Sequence, residues 1–211
     1  MPIELMFQPK EAETVTTIPA TPHSLRAAIF PKSTLLTNSA LALGGVAFLA
    51  VMAQIALPIP GSPVPVTGQT LGALLIGASY GRALGATTFA LYLGIGIAGA
   101  PVFSQQGHGL AKFVGPTGGY LVGMFLATVV LSFLASKKWD KKLPTALLAM
   151  LVGQVVIFAP GLFWLQQSTG KDWSWTINAG LTPFIFGEAL KLAIAATALP
   201  TIWRVVDKRR S

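Results

Sequence analysis

Near the end of the chain, Gly187-Glu188-Ala189-Leu190-Lys191 sets an acid and a lysine three residues apart in an otherwise uncharged apolar block, 182–203. On a helix that spacing puts both side chains on one face. Counted from Thr182, they sit roughly 9 and 14 Å inside the helix end. A lone lysine at mid-membrane costs about 2.5–3.5 kcal/mol on insertion scales, so intramembrane charges need a partner or a purpose. Two uses are open. Glu188 and Lys191 form a mutual salt bridge that holds a bundle together, or they make the polar floor of a cavity. An ammonium there suits a carboxylate ligand, and a carboxylate suits N–H donors. Both charges fall in the outer half of the segment, which favours a cavity open to the outside.

Two further runs carry polar groups in apolar surroundings. Pro58-Ile59-Pro60-Gly61-Ser62-Pro63-Val64-Pro65-Val66-Thr67-Gly68-Gln69-Thr70 has four prolines, which remove backbone donors and stiffen the segment. It is too apolar for a solvated linker and reads as a cap on the bundle, with Gln69 pointing inward. The loop Pro101 to Tyr120 holds Gln105, His108 and Lys112 among glycines that permit close backbone approach. Gln105 and Lys112 supply polar contacts; His108 has no metal-ligand partner in view. Gly118 opens a helix whose free N–H groups favour an anion. Trp173 and Trp175 are aromatic-belt residues or close a pocket from outside.

Enzymatic chemistry finds little to work with. There are two histidines, His23 and His108, no cysteine, no pair of acids in an apolar segment and no G-x-x-x-x-G-K-[ST] run. The expectation is no enzyme, no catalytic residue, no metal and no cofactor.

The elements that must position these residues follow from composition. Of 211 residues, 53% are hydrophobic and 10% are charged, where a soluble domain carries about 25% charged residues. Lipid must cover such a surface. Uncharged or nearly uncharged runs at Ser39–Pro58, Ala83–Ala100, Gly118–Ser136, Thr145–Gln166 and Thr182–Trp203 are long enough to cross a membrane. A sixth, Thr67–Tyr80, is too short to span squarely. The fold expected is an all-α integral membrane protein, a six-helix transmembrane bundle with a short second helix and an outward-facing ligand cavity. Six crossings put both termini on one side. Lys10, Arg26, Lys32, Arg82, Lys137, Lys138, Lys141, Lys142, Arg204, Lys208, Arg209 and Arg210 then share one face, 12 of the 15 basic residues. That bias makes the face cytoplasmic. The net charge of +8 is therefore topology and not a nucleic-acid footprint. Trp139 and Trp203 are expected at the inner boundary, and Trp164, Trp173 and Trp175 near the outer one. The domains expected are a cytoplasmic N-terminal extension at 1–33, largely disordered with a short surface helix near Leu25–Phe30, the bundle at 34–203, and a basic tail at 204–211.

Together these regions resemble the BioY family, the biotin-binding S components of energy-coupling-factor transporters. The resemblance rests on Ala53-Gln54 through Gly72, Gly99-Ala100-Pro101-Val102-Phe103, Gly115-Pro116-Thr117-Gly118-Gly119-Tyr120-Leu121 and Gly187-Glu188-Ala189-Leu190-Lys191, and covers about residues 38 to 200. It implies a six-helix bundle of the cell membrane holding biotin near the outer surface. The family's acid and lysine of the last helix fall on Glu188 and Lys191, with glutamate where aspartate is more frequent. An amide after Pro-Val-Phe-x falls on Gln105, and Lys112 stands where a cation helps hold the valerate carboxylate. On this reading Lys191, helped by Lys112, neutralises the carboxylate and Glu188 and Gln105 read the ureido ring. Tyr92, Phe103, Trp173 or Trp175 covers the apolar face. The resemblance also implies docking onto a transmembrane T component driven by two ATPases, through small residues of the first helix. Ala47 and Ala50 match that pattern, whereas Leu43 and Val46 depart from it. A solitary carrier, proton-coupled through Glu188, and an S component for another vitamin are the alternatives.

Overall fold

The computed structural model describes residues 23–32 and 34–210. The described chain is almost wholly helical. Six main helices form the bundle: α2 (Leu35–Gln54), α3 (Gln69–Tyr80), α4 (Arg82–Ile97), α6 (Gly118–Ser136), α7 (Leu143–Thr169) and α9 (Ile185–Arg210). Three shorter ones, α1 (Leu25–Ile29), α5 (Gly109–Val114) and α8 (Trp173–Gly180), lie at its ends. Four stretches, 35–54, 118–136, 143–169 and 173–209, are long and apolar enough to cross a membrane. Their outer faces carry lipid-facing side chains such as Leu36, Val51, Leu151 and Phe186, all largely exposed.

The first span begins and ends four residues earlier than the apolar run suggests. Thr34 caps α2 by accepting the Thr37 N–H at 3.1 Å. At the other end the proline-rich segment cannot continue a helix. Instead it folds into two antiparallel two-residue strands, β1 (Ala56–Leu57) and β2 (Val66–Thr67), a departure from the all-α fold expected. This segment does cap the bundle: Val64 is buried, and Ser62 Oγ donates to Ala179 O at 2.8 Å on α8.

α3 has 12 residues, roughly 18 Å, so it is the short second helix expected. It stops at Gly81, whose φ of 82° is open chiefly to glycine. Close approach of α3, α6 and α7 depends on missing side chains. A Cβ on Gly123 would lie 2.5 Å from Ile157 O, and one on Gly77 2.8 Å from Thr128 O. Small residues here let backbones touch, which is how membrane helices gain packing energy without a hydrophobic drive.

The helix near the N terminus forms as expected but is not a surface element. Leu25 and Ala28 of α1 are buried together with Trp203 near the end of α9, so a boundary at 33/34 cuts through the packed unit. The remainder of the extension, residues 1–22, and Ser211 lie outside the described residues. Trp203 is likewise no belt residue. It is 2% exposed, its indole N–H donates to Asp140 Oδ2 at 2.5 Å, and Lys141 Nζ sits 3.8 Å from its ring centroid.

Candidate functional site

Glu188 and Lys191 lie on the first turns of α9 and meet residues from α3 and α7. Lys191 Nζ donates to Glu188 Oε1 at 2.6 Å, to Thr67 O at 2.5 Å and to Thr70 Oγ1 at 3.0 Å. Thr70 Oγ1 in turn donates to Glu188 Oε1 at 3.0 Å. Glu188 Oε2 accepts from Gln154 Nε2 of α7 at 2.7 Å. Glu188 is 7% exposed, and its two oxygens together accept from three side chains, as a buried polar group requires. An ammonium has three protons to give, and here all three have partners. Gln154 Oε1 is buried without a partner. The amide orientation is fixed by chemistry, because only its NH2 group can face a carboxylate.

Glu188 also forms part of the wall of a narrow cavity of about 30 Å3, with Thr67, Gln69, Thr70, Phe103, Ser104, Lys112, Thr117 and Tyr120 among its other walls. One side is aromatic. Tyr120 stacks on Phe184 with centroids 6.4 Å apart and meets Phe158 edge-on at 5.6 Å. The Tyr120 hydroxyl donates to Gly180 O at 2.8 Å, which fixes the ring. Lys112, on α5, is the cavity's cation. Burial pulls its ammonium below the usual lysine pKa. Its stem lies across Gly107, where a Cβ would come within 2.7 Å of Lys112 Cε.

Not every expected residue reaches the cavity. Gln69 does, and its Nε2 donates to the Tyr92 hydroxyl at 2.6 Å. Tyr92 stands behind the wall: it is fully buried and donates to Val102 O at 2.9 Å, supporting both Gln69 and the chain before Phe103. Phe103 is a wall residue, edge-on to Tyr92. Gln105 is exposed with φ 58° and is not a wall residue; its neighbour Ser104 is. Gln54 holds this turn, donating to Phe103 O and accepting from Gln106 N, both at 3.0 Å. Lys191 lies just outside the wall, behind Glu188 and Thr70. Trp173 and Trp175 are on α8, away from the wall; Trp173 is half exposed and Trp175 packs on the core. Of the small residues on α2, Ala47 is exposed and Ala50 turns toward the core.

Among the site residues that escape a reading of the sequence are Gln154, Tyr120, Phe158 and Phe184. Gln154 had a signal, being the one amide in the middle of an otherwise apolar α7. The aromatics had none, since apolar rings in a membrane segment look alike until the helices are assembled.

Comparison with known proteins adds relatives. The family model described as the BioY family matches residues 23–208. Biotin transporter BioY2 of Lactococcus lactis subsp. cremoris is 34% identical over 160 residues, 76% of this chain and 86% of that protein. Biotin transporter BioY of Thermotoga maritima is 35% identical over 150 residues, 71% of this chain and 86% of its own. A crystal structure of the S-component for biotin from an ECF-type ABC transporter superposes with a TM-score of 0.74, covering 82% of this chain and 95% of that one at 21% identity. At that identity the likeness concerns the fold.

Proposed function

This chain belongs to the BioY family of multi-pass membrane proteins, and from that premise we propose that it captures biotin for uptake across the cell membrane. One observation carries the reading. The cavity presents a carboxylate and a cation on separate elements, Glu188 on α9 and Lys112 on α5, with aromatic rings among its walls. Biotin carries the complements: ureido N–H groups for an acid, a carboxylate for a cation and an apolar ring system for the aromatics. Lys112 takes the carboxylate, because Lys191 already gives its protons to Glu188, Thr70 and Thr67. Lys191 acts by holding Glu188 in place. Gln69 and Ser104 supply further hydrogen bonds, replacing Gln105. The cavity is far smaller than the 300–1,000 Å3 usual for ligand sites, so its walls part as biotin enters.

The end of the bundle bearing Arg82, Lys137 to Lys142 and Arg204 to Arg209 faces the cytoplasm, as the basic bias requires. Biotin then enters from outside. A transmembrane T component and ATP-binding-cassette ATPases energise the step. The exposed strip of Ala40, Gly44 and Ala47 on α2 offers such a T component close helix contact.

The test is calorimetry of biotin against the purified full chain in detergent, beside thiamin and riboflavin. Tight binding of biotin alone is expected. No binding by a well-folded protein would remove the assignment and leave Glu188 and Lys191 as a structural pair.

A further inference from the structure

A second polar cavity lies at the opposite end of the bundle from Lys112. It is open, about 390 Å3, and bounded by α1, α4 and α6, with His23, Ser24, Arg82, Ser132, Ser136 and Lys137 in its wall. No acidic residue contributes to it. Arg82 and Lys137 are exposed, and neither forms an ion pair with a described residue. A topological signal needs basic residues only somewhere on this face. Here two permanent cations and an imidazole border one hollow.

The hydroxyls sort themselves by what they have left to offer. Ser24 Oγ accepts the Ala27 N–H at 3.3 Å, so its proton is available. Ser132 and Ser136 donate to Val129 O and Phe133 O at 2.7 and 2.6 Å, so they keep only lone pairs. The hollow thus offers cations and one O–H to an anion, and two acceptor oxygens to an alcohol. Its edge meets the hydrocarbon. Lys137 Nζ lies 5.6 Å from the ring centroid of Phe133, a lipid-facing residue one turn up α6. A lysine lying along an apolar face with its charge at the boundary is the geometry of snorkelling.

We propose that this cavity is a binding site for the headgroup of an anionic phospholipid. The phosphodiester sits between Arg82, Lys137 and the Ser24 hydroxyl. Hydroxyls of a glycerol headgroup donate to Ser132 and Ser136, and an acyl chain runs along Phe133. Basic pockets between helices at the inner surface commonly hold such groups through charge-assisted hydrogen bonds. Nothing in this site depends on which solute the other cavity holds.

The test is native mass spectrometry of the full chain titrated with phosphatidylglycerol and with phosphatidylcholine. Phosphatidylglycerol should bind about tenfold more tightly. Arg82→Gln with Lys137→Gln should abolish that preference. Arg204→Gln with Arg209→Gln, which removes the same charge from the same end away from the cavity, should leave it intact. If the first pair fails to fold, Lys137→Gln alone should lower the preference about threefold. Three results would overturn the proposal: no preference in the unmodified protein, equal loss in both double variants, or displacement of phosphatidylglycerol by equimolar inorganic phosphate. The last would mean a small-anion site and not a lipid site.

Discussion

All three N–H groups of Lys191 go to oxygens of the fold, whereas Lys112 meets the cavity from a short helix above it. The two lysines therefore fail differently. Lys191→Met strands Glu188 without its ammonium, and breaking a buried pair this way costs about 3–5 kcal/mol, so a loss of binding there reports on folding as much as on recognition. Lys112→Met is cleaner. It should weaken biotin about tenfold or more, as loss of a charged hydrogen bond does, and leave biotin methyl ester unaffected, both read by calorimetry. The pH dependence has a definite sign. A carboxylate needs Lys112 protonated, so affinity holds at lower pH and falls as pH rises through a lysine pKa that burial has lowered. The fall should come at lower pH than for an exposed lysine and vanish in Lys112→Met. Gln154→Leu removes the donor to Glu188 Oε2. It should lower stability by about 1–3 kcal/mol and weaken biotin about tenfold, seen as a reduced melting temperature and a raised Kd. Much of this site was legible. Two charges in an apolar run are conspicuous because membranes tolerate few. What they touch was not, since Thr67, Thr70 and Gln154 come from segments far away in sequence. Gln105 misled because a position in a loop does not say which way a residue turns, and here a left-handed backbone points it outward.

Among the elements, α9 joins both ends of the molecule. Its 26 residues span roughly 39 Å, with Glu188 near one end and Trp203 near the other. Trp203 is tied to the connection between α6 and α7 through Asp140, whose Oδ1 is buried without a partner. Burial raises the Asp140 carboxyl above the usual range, against the smaller opposing pull of the Trp203 hydrogen bond. Between the unfolded and the raised folded pKa, the folded state keeps a proton that the unfolded chain has lost. Stability therefore falls as pH rises through that window. Asp140→Asn should abolish that acid-side dependence and raise the melting temperature at neutral pH, because the amide oxygen still accepts from the indole and no buried charge forms. Asp140→Ala should cost about 1–3 kcal/mol by leaving the indole N–H unpaired; thermal unfolding in detergent across pH separates the two. The six main helices and their order were legible because apolar runs between Pro, Gly and charge mark them directly, whereas the short α5 and α8 were not. Ends were less so. Nothing in the apolar content of 55–58 separates helix from strand, and only the prolines beyond stop α2. Trp203 looked like an interface residue because its partner, Asp140, lies 63 residues away.

For the whole molecule, absence of cysteine makes its orientation open to a direct test. A single cysteine at Arg209 should react with an impermeant maleimide only in inside-out vesicles, and one at Lys171 only in right-side-out vesicles. The reverse pattern would invert the assignment of the basic face. Among the described residues the spans are joined by short connections and not by a separate folded domain. Glu188 and the Lys191 behind it cancel, so with Lys112 protonated the cavity together with that lysine has a formal charge of +1 (+1 +1 −1). Biotin as a monoanion brings it to zero. The membrane potential does work of about 2.3 kcal/mol per elementary charge per 100 mV, and it can act on the empty cavity but not on the filled one. On the proposed function, carrying the filled site through the hydrocarbon is electrically silent, and an inside-negative voltage pulls on the protein only after its cargo has left.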